Sequence, residues 1–77
     1  MNTATIDARH LLCPLPVIRT QDAVADCRPG DHLQVVCTDP GVVHDIPAWC
    51  RVHGHEVYAI ERSDNEIMIG IQVGEAD

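Results

Sequence analysis

Residues 28–40 read RPGDHLQVVCTDP, and this stretch decides the fold. Its first part, residues 28–31, joins proline to glycine and ends any helix that precedes it. The following segment, His32–Cys37, predicts a strand with alternate residues on one buried side. Asp39 before Pro40 is a good cap signal for another helical turn. The stretch therefore predicts a helix, a strand and a second helix in succession.

A proline complicates the prediction of the second helix. Pro47 would break a helix interior, so we expect the segment to restart there. Asp45 is then the cap of a helix over Ile46–His53, and Gly54 is its natural C-terminal stop.

The remaining elements follow from periodicity and turn signals. A moderate helical pattern after the first strand places mostly apolar residues on one face, and a hairpin turn separates the last two strands. These elements are a strand over Thr3–Asp7, a helix from about Pro14 to Cys27 with Val17, Ile18, Val24 and Ala25 on one face, a strand over His55–Arg62, a turn at Ser63–Glu66 and a strand over Ile67–Val73.

The order βαβαββ defines the fold class as α+β. Right-handed crossovers put both helices on one face of a four-stranded mixed sheet, giving a two-layer α/β sandwich. We expect one domain over residues 1–77. The other face of the sheet is too apolar for plain solvent surface, and we predict that it docks partners. Its residues are Gln34, Val36, Tyr58, Ile60, Met68 and Gln72.

Composition excludes several classes of function. The chain has 77 residues and a formal net charge of −7, with no lysine and only five arginines. Tight, direct nucleic-acid binding needs a cationic surface, so we expect none. No apolar stretch reaches the length of a membrane span, and Met1–Thr5 lacks the features of a signal peptide. We expect a cytoplasmic protein with no membrane partner.

The four cysteines are Cys13, Cys27, Cys37 and Cys50, separated by 14, 10 and 13 positions. There is no C-x-x-C, which argues against a thioredoxin-type redox pair and a zinc ribbon. Disulfides are disfavoured because cytosolic thiols stay reduced. We expect no metal and no cofactor. Cys37 is either a core residue or a second thiol that forms a disulfide with Cys13.

The segment Cys13-Pro14-Leu15-Pro16 places a thiol at the mouth of the first helix. The helix dipole favours a thiolate there, but the prolines remove amides that would bind the sulfur. With Cys13 or Leu15 as the cap, we expect a modestly lowered pKa, between about 6.5 and 8. Arg9, His10 and Arg19 are near in sequence and add to the effect if they face the sulfur.

Residues 7–19, reading DARHLLCPLPVIR, resemble the C-P-x-P signature of the TusA/SirA-like sulfur-carrier proteins. The resemblance continues through residues 28–31, 38–40 and 45–47 to Cys50. Members of that family adopt a βαβαββ two-layer sandwich, in agreement with the elements above. One departure is visible, because many members have glycine where this chain has His10.

The resemblance implies that Cys13 carries a persulfide. A sulfur-donor protein, such as a cysteine desulfurase or a rhodanese-like protein, would load it, and a sulfur-acceptor protein would unload it. Carriers of this kind act as sulfurtransferases in tRNA thiolation, cofactor synthesis or sulfur oxidation. The residues expected to support the motif are Pro14, Pro16, Arg9, His10, Arg19 and Asp39.

Two other functions stay open at this point. One is a non-catalytic regulatory or interaction module that uses the open sheet face and the acidic charge. The other is a small thiol redox protein that pairs Cys13 with Cys37.

Overall fold

The computed structural model describes residues 3–75 and has the predicted order βαβαββ. Apart from the start of the second helix, each element begins and ends within one or two residues of its prediction. The elements are β1 (Thr3–Ala8), α1 (Leu15–Ala25), β2 (His32–Cys37), α2 (Val42–His53), β3 (Glu56–Ser63) and β4 (Glu66–Gln72).

The four strands form one mixed sheet in the order β1-β2-β4-β3. Strands β1 and β2 are parallel, with Ala8 opposite Cys37, and the β2–β4 and β3–β4 pairs are antiparallel. The predicted mixed sheet is confirmed. Because β1 and β2 run the same way, the loops that follow them meet at one edge of the sheet.

The core lies between one face of this sheet and the two helices. Alternate residues of the central strands β2 and β4 are buried, as expected for a sheet covered on one side, and Gly70 of β4 is buried as well. The buried side chains of α2 join the same cluster, and α1 adds partly buried ones. The cluster includes Leu33, Val35, Cys37, Ile67, Ile69, Ile71, Val42, Ile46 and Cys50.

Helix α2 is continuous from Val42, so the predicted restart at Ile46 with Asp45 as its cap is wrong. Pro47 lies inside the helix and cannot donate to the carbonyl one turn earlier, a loss that costs about 3 kcal/mol in a helix interior. Val42, Ile46 and Cys50 are all buried, on one face before and after the proline. Their burial against the sheet offsets the missing bond.

The face of α1 also differs from its prediction. Val17 and Val24 pack against the core as predicted. However, Pro16 and Thr20 are the buried residues, and Ile18 is 45% exposed. The Thr20 hydroxyl donates to the Pro16 carbonyl at 2.9 Å, and this bond satisfies a polar group that burial would otherwise penalise. The prediction used only the positions of apolar residues, and it therefore placed the buried face of α1 part of a turn away from where it lies.

A β-bulge in β3 changes the open sheet face. The pairing of β3 with β4 shifts between Val57 and Ala59, so Ile60 lies opposite the buried Ile69. Directly paired residues share a face, and Ile60 therefore belongs to the helix-covered side. Its predicted place beside Tyr58 on the open face is wrong, because strict alternation does not survive the bulge.

Candidate functional site

The site lies where the loops after β1 and β2 meet. The first loop leads from Arg9 to Cys13, and the second runs from Thr38 to Gly41. The backbone N–H of His10 donates to Thr38 Oγ1 at 2.9 Å and joins the two loops. Each loop also leads into a helix, so the edge brings the starts of α1 and α2 together.

Cys13 stands just outside α1. The helix begins at Leu15 with Pro14 as its cap residue, so neither of the two predicted cap residues holds that position. Among residues 3–75, no side chain caps this helix end. Pro16 is buried in the first turn, while Pro14 and Cys13 are exposed. The Cys13–Pro14 peptide bond is cis.

Two aspartates bind Cys13. Asp39 lies in the second loop and Asp45 lies in the first turn of α2. The Cys13 N–H donates to Asp39 Oδ2 at 3.1 Å, and the Cys13 Sγ donates to Asp45 Oδ2, also at 3.1 Å. Asp39 uses its other oxygen to accept the Gly41 N–H at 3.0 Å. One carboxylate thus holds the backbone of the cysteine and the other holds its thiol.

The expected lowering of the Cys13 pKa is wrong. The hydrogen bond to the Asp45 carboxylate raises the pKa of the thiol, and desolvation and the charges of Asp45 and Asp39 act in the same direction. A thiolate would lose its donated bond and face two negative charges. Cys13 is therefore a protonated, exposed thiol at neutral pH.

Asp45 is the residue that sequence reasoning missed. It is 32 positions from Cys13, and its place in the sequence fitted a simple helix cap. The signal that would have found it is its position in the first turn of α2, at the same sheet edge as the cysteine. Asp39, by contrast, was expected to support the motif, and it contacts Cys13 directly.

Arg9 binds carboxylates other than the two beside Cys13. The Arg9 guanidinium donates to Asp7 at 2.9 Å and to Glu66 at 3.3 Å. Its hydrogen bonds lower the pKa of the exposed Asp7 carboxyl to about 2. The charge of Arg9 is thus engaged at the strand edge, and Arg19 lies exposed on α1.

His10 adopts a backbone conformation that favours glycine. Its φ is 65°, in the left-handed region where a side chain costs energy. This explains why glycine suits the position in the family that the sequence resembles. In this chain, the bond from the His10 N–H to Thr38 holds the residue in place.

The other three cysteines are free but less accessible than Cys13. Cys37 and Cys50 are in the core, and burial raises the pKa of each thiol to about 11. Cys27 is partly buried, and its thiol donates to the Ala23 carbonyl at 3.3 Å. Cys13 is therefore the thiol that reagents and partner proteins reach most easily.

Within residues 3–75, no three His, Cys, Asp or Glu side chains come together in the way a metal ion requires. In the same part of the chain, no helix has the length and apolarity needed to span a membrane.

Fold and site together define a two-layer α/β sandwich that presents an exposed, free thiol beside two carboxylates. The sequence model of the family described as "Sulfurtransferase TusA" matches residues 4–73. This chain therefore belongs to the TusA family.

Named relatives and a solved structure agree with this assignment. A putative sulfur carrier protein of Neisseria meningitidis serogroup A is 38% identical, over 94% of this chain and 97% of its own length. The sulfur carrier protein TusA of Pseudomonas syringae pv. tomato is 36% identical, over 90% and 82%. The crystal structure of a SirA-like protein from Desulfitobacterium hafniense superposes with a TM-score of 0.81 at 27% identity, over 94% and 99%.

Proposed function

We propose that this chain is a sulfur carrier that receives a persulfide sulfur on Cys13 from a donor protein and passes it to an acceptor protein. The observation that carries the proposal is the exposure of Cys13 on a loop held by Asp39, in a chain whose other thiols are partly or fully buried. Its family membership supports the same role.

Loading is a thiol exchange at the Cys13 sulfur. The thiol loses its proton and attacks the outer sulfur of the donor's persulfide. A bond forms between Sγ and that sulfur as the donor's S–S bond breaks, and the donor cysteine leaves as a thiolate that takes up a proton. Cys13 is oxidised to the persulfide level and the donor cysteine is reduced, so the exchange needs no other oxidant.

Unloading repeats the exchange with the roles reversed. A thiolate of the acceptor attacks the outer sulfur, and Cys13 leaves as a thiolate that is protonated again. Both partners must approach the same atom. Leu12 and Leu15 are 74% and 47% exposed beside Cys13 and offer apolar contact area for them. The net charge of −7 favours partners with basic surfaces.

Intact-mass measurement tests the proposal. The chain is incubated with a cysteine desulfurase and cysteine, or with a rhodanese and thiosulfate, and analysed without reductant. We expect a mass increase of one sulfur atom that is absent in Cys13→Ser and retained in the matched control Cys27→Ser. An adduct that persists in Cys13→Ser, or no adduct on the wild-type chain, contradicts the proposal.

The same spectra report on the redox alternative, which requires a disulfide between Cys13 and Cys37. Burial of Cys37 weighs against it, since that thiol would have to leave the core to react. A loss of two hydrogen atoms that requires both cysteines would favour it.

Free thiols suit a reducing compartment, and we place the relay in the cytoplasm.

The acceptor, and with it the pathway, is best identified by its chemistry. A chain carrying a Cys13 persulfide should exchange sulfur with an acceptor cysteine, whereas Cys13→Ser should not. Transfer of radiolabelled sulfur from the loaded chain into tRNA, a cofactor precursor or an oxidising enzyme complex distinguishes the three pathways.

A further inference from the structure

The hydrogen bond between Cys13 and Asp45 can exist in only one state of the carrier. In the empty state, Sγ carries a hydrogen and donates it to Asp45 Oδ2 at 3.1 Å. In a persulfide, Sγ is bonded to Cβ and to the outer sulfur and has no hydrogen left to donate. Loading therefore breaks this bond whichever protein supplies the sulfur.

The loaded state also meets an unfavourable charge. A persulfide is a stronger acid than the corresponding thiol, so its outer sulfur is more often an anion at neutral pH. The Asp45 carboxylate binds the thiol and the Asp39 carboxylate binds the backbone N–H of the same residue, and both charges repel that anion. The arrangement stabilises the thiol and destabilises the persulfide.

We propose that Asp45 sets the sulfur affinity of Cys13, binding the empty thiol and opposing the loaded persulfide, so that the carrier gives up its sulfur readily. The inference rests on the proposed function of Cys13 as a persulfide carrier. It assigns to Asp45 a part in the transfer equilibrium beyond its structural position in the first turn of α2.

The charges around the thiol agree with this assignment. The two carboxylates come from α2 and from the loop before it, while the nearest arginine in sequence, Arg9, is bonded to Asp7 and Glu66. The neighbouring histidines, His10 and His44, are exposed. Asp45 therefore supplies the negative charge that directly contacts Sγ, and a neutral residue at this position removes that charge.

The first test measures how sulfur partitions between Cys13 and glutathione. Glutathione persulfide and glutathione are equilibrated with the whole chain at fixed pH, and the loaded fraction is read by intact mass. Removing one carboxylate charge at this distance in an exposed site should shift the equilibrium toward loading by about three- to tenfold. We expect this shift in Asp45→Asn and at least as large a shift in Asp45→Ala.

The control is Asp22→Asn, which removes the same charge from an exposed position on α1. It should leave the partition unchanged. If the wild type and the Asp45 variants load equally, the inference is overturned while the carrier function stands. If neither the wild type nor the Asp45 variants load, from glutathione persulfide or from a donor protein, the proposed function fails and the inference falls with it.

A second readout does not depend on sulfur transfer. The rate at which iodoacetamide alkylates Cys13 in the empty chain is followed against pH by peptide mass spectrometry. The midpoint should move to lower pH in Asp45→Asn and stay fixed in Asp22→Asn. A merely structural role for Asp45 would leave the midpoint where it is in the wild type, and that result would overturn the inference.

Discussion

The Asp39 carboxylate ties Cys13 to the start of α2. It accepts the Cys13 N–H at 3.1 Å through one oxygen and the Gly41 N–H at 3.0 Å through the other. The cysteine loop and the helix that carries Asp45 are therefore fixed to each other by one side chain. The position of the thiol depends on this link as well as on the prolines.

Asp39→Asn should weaken the link. An amide has one acceptor oxygen, so its NH2 group would face either the Cys13 or the Gly41 N–H in place of an acceptor. We expect the free energy of unfolding to fall by about 1 kcal/mol, the usual net value of a hydrogen bond. Urea denaturation measures this change, with Asp22→Asn as the control for charge. An unchanged midpoint would show that the carboxylate does not hold the loop.

The four thiols should react in an order set by their burial. In the native chain, iodoacetamide should modify Cys13 first and the partly buried Cys27 more slowly. Cys37 and Cys50 should react only as the chain unfolds, since both are in the core. Peptide mass spectrometry with and without urea gives the order. Early modification of Cys37 without denaturant would contradict this prediction and revive the redox alternative.

Local sequence was sufficient for most of the fold. The strand β2 was predicted to the residue, because the proline and glycine of residues 28–31 and the turn at Asp39 bound it on both sides. Gly54 ends α2 in the left-handed conformation that a helix stop requires. In these segments, propensity, periodicity and turn chemistry all agree.

The errors arose where tertiary contacts decide. Pro47 is tolerated because residues before and after it are buried on one face, which no local rule weighs. The bulge that moves Ile60 depends on how β3 pairs with β4. For the site, the motif identified Cys13. The Asp45 carboxylate, which accepts the hydrogen bond of the thiol, comes close only in the folded chain, so the direction of the pKa change at Cys13 could not be predicted from the sequence.

Replacing His10 by glycine should not harm the fold. A non-glycine residue at φ of 65° costs about 1–2 kcal/mol, whereas glycine in the unfolded chain has about 0.4–1 kcal/mol more entropy to lose. We expect His10→Gly to be neutral or stabilising by up to about 1.6 kcal/mol in urea denaturation. His10→Val, with a branched side chain in the same conformation, is the matched control and should be destabilising. A clear loss of stability in His10→Gly would mean that the imidazole makes a necessary contact.

Stability should fall as the pH drops through the range where His55 titrates. His55 is 7% exposed, its ring stacks on Trp49 at 5.3 Å, and its Nδ1 accepts the Gly74 N–H at 3.0 Å. Burial, and next the charge of His53, lower its pKa below the ordinary value of 6.5. The unfolded chain therefore binds this proton more readily. The contribution of His55 to stability is present above pH 6.5 and is lost as the pH falls toward the folded pKa.

NMR titration of the histidine rings checks this assignment directly. The His55 signals should titrate below the ordinary histidine pKa of 6.5, and urea midpoints should decline as the pH is lowered past 6.5. In His55→Gln this decline should be smaller, whereas in His44→Gln it should persist. A His55 pKa at or above 6.5 would contradict the prediction, because protonation of Nδ1 removes the acceptor that holds Gly74.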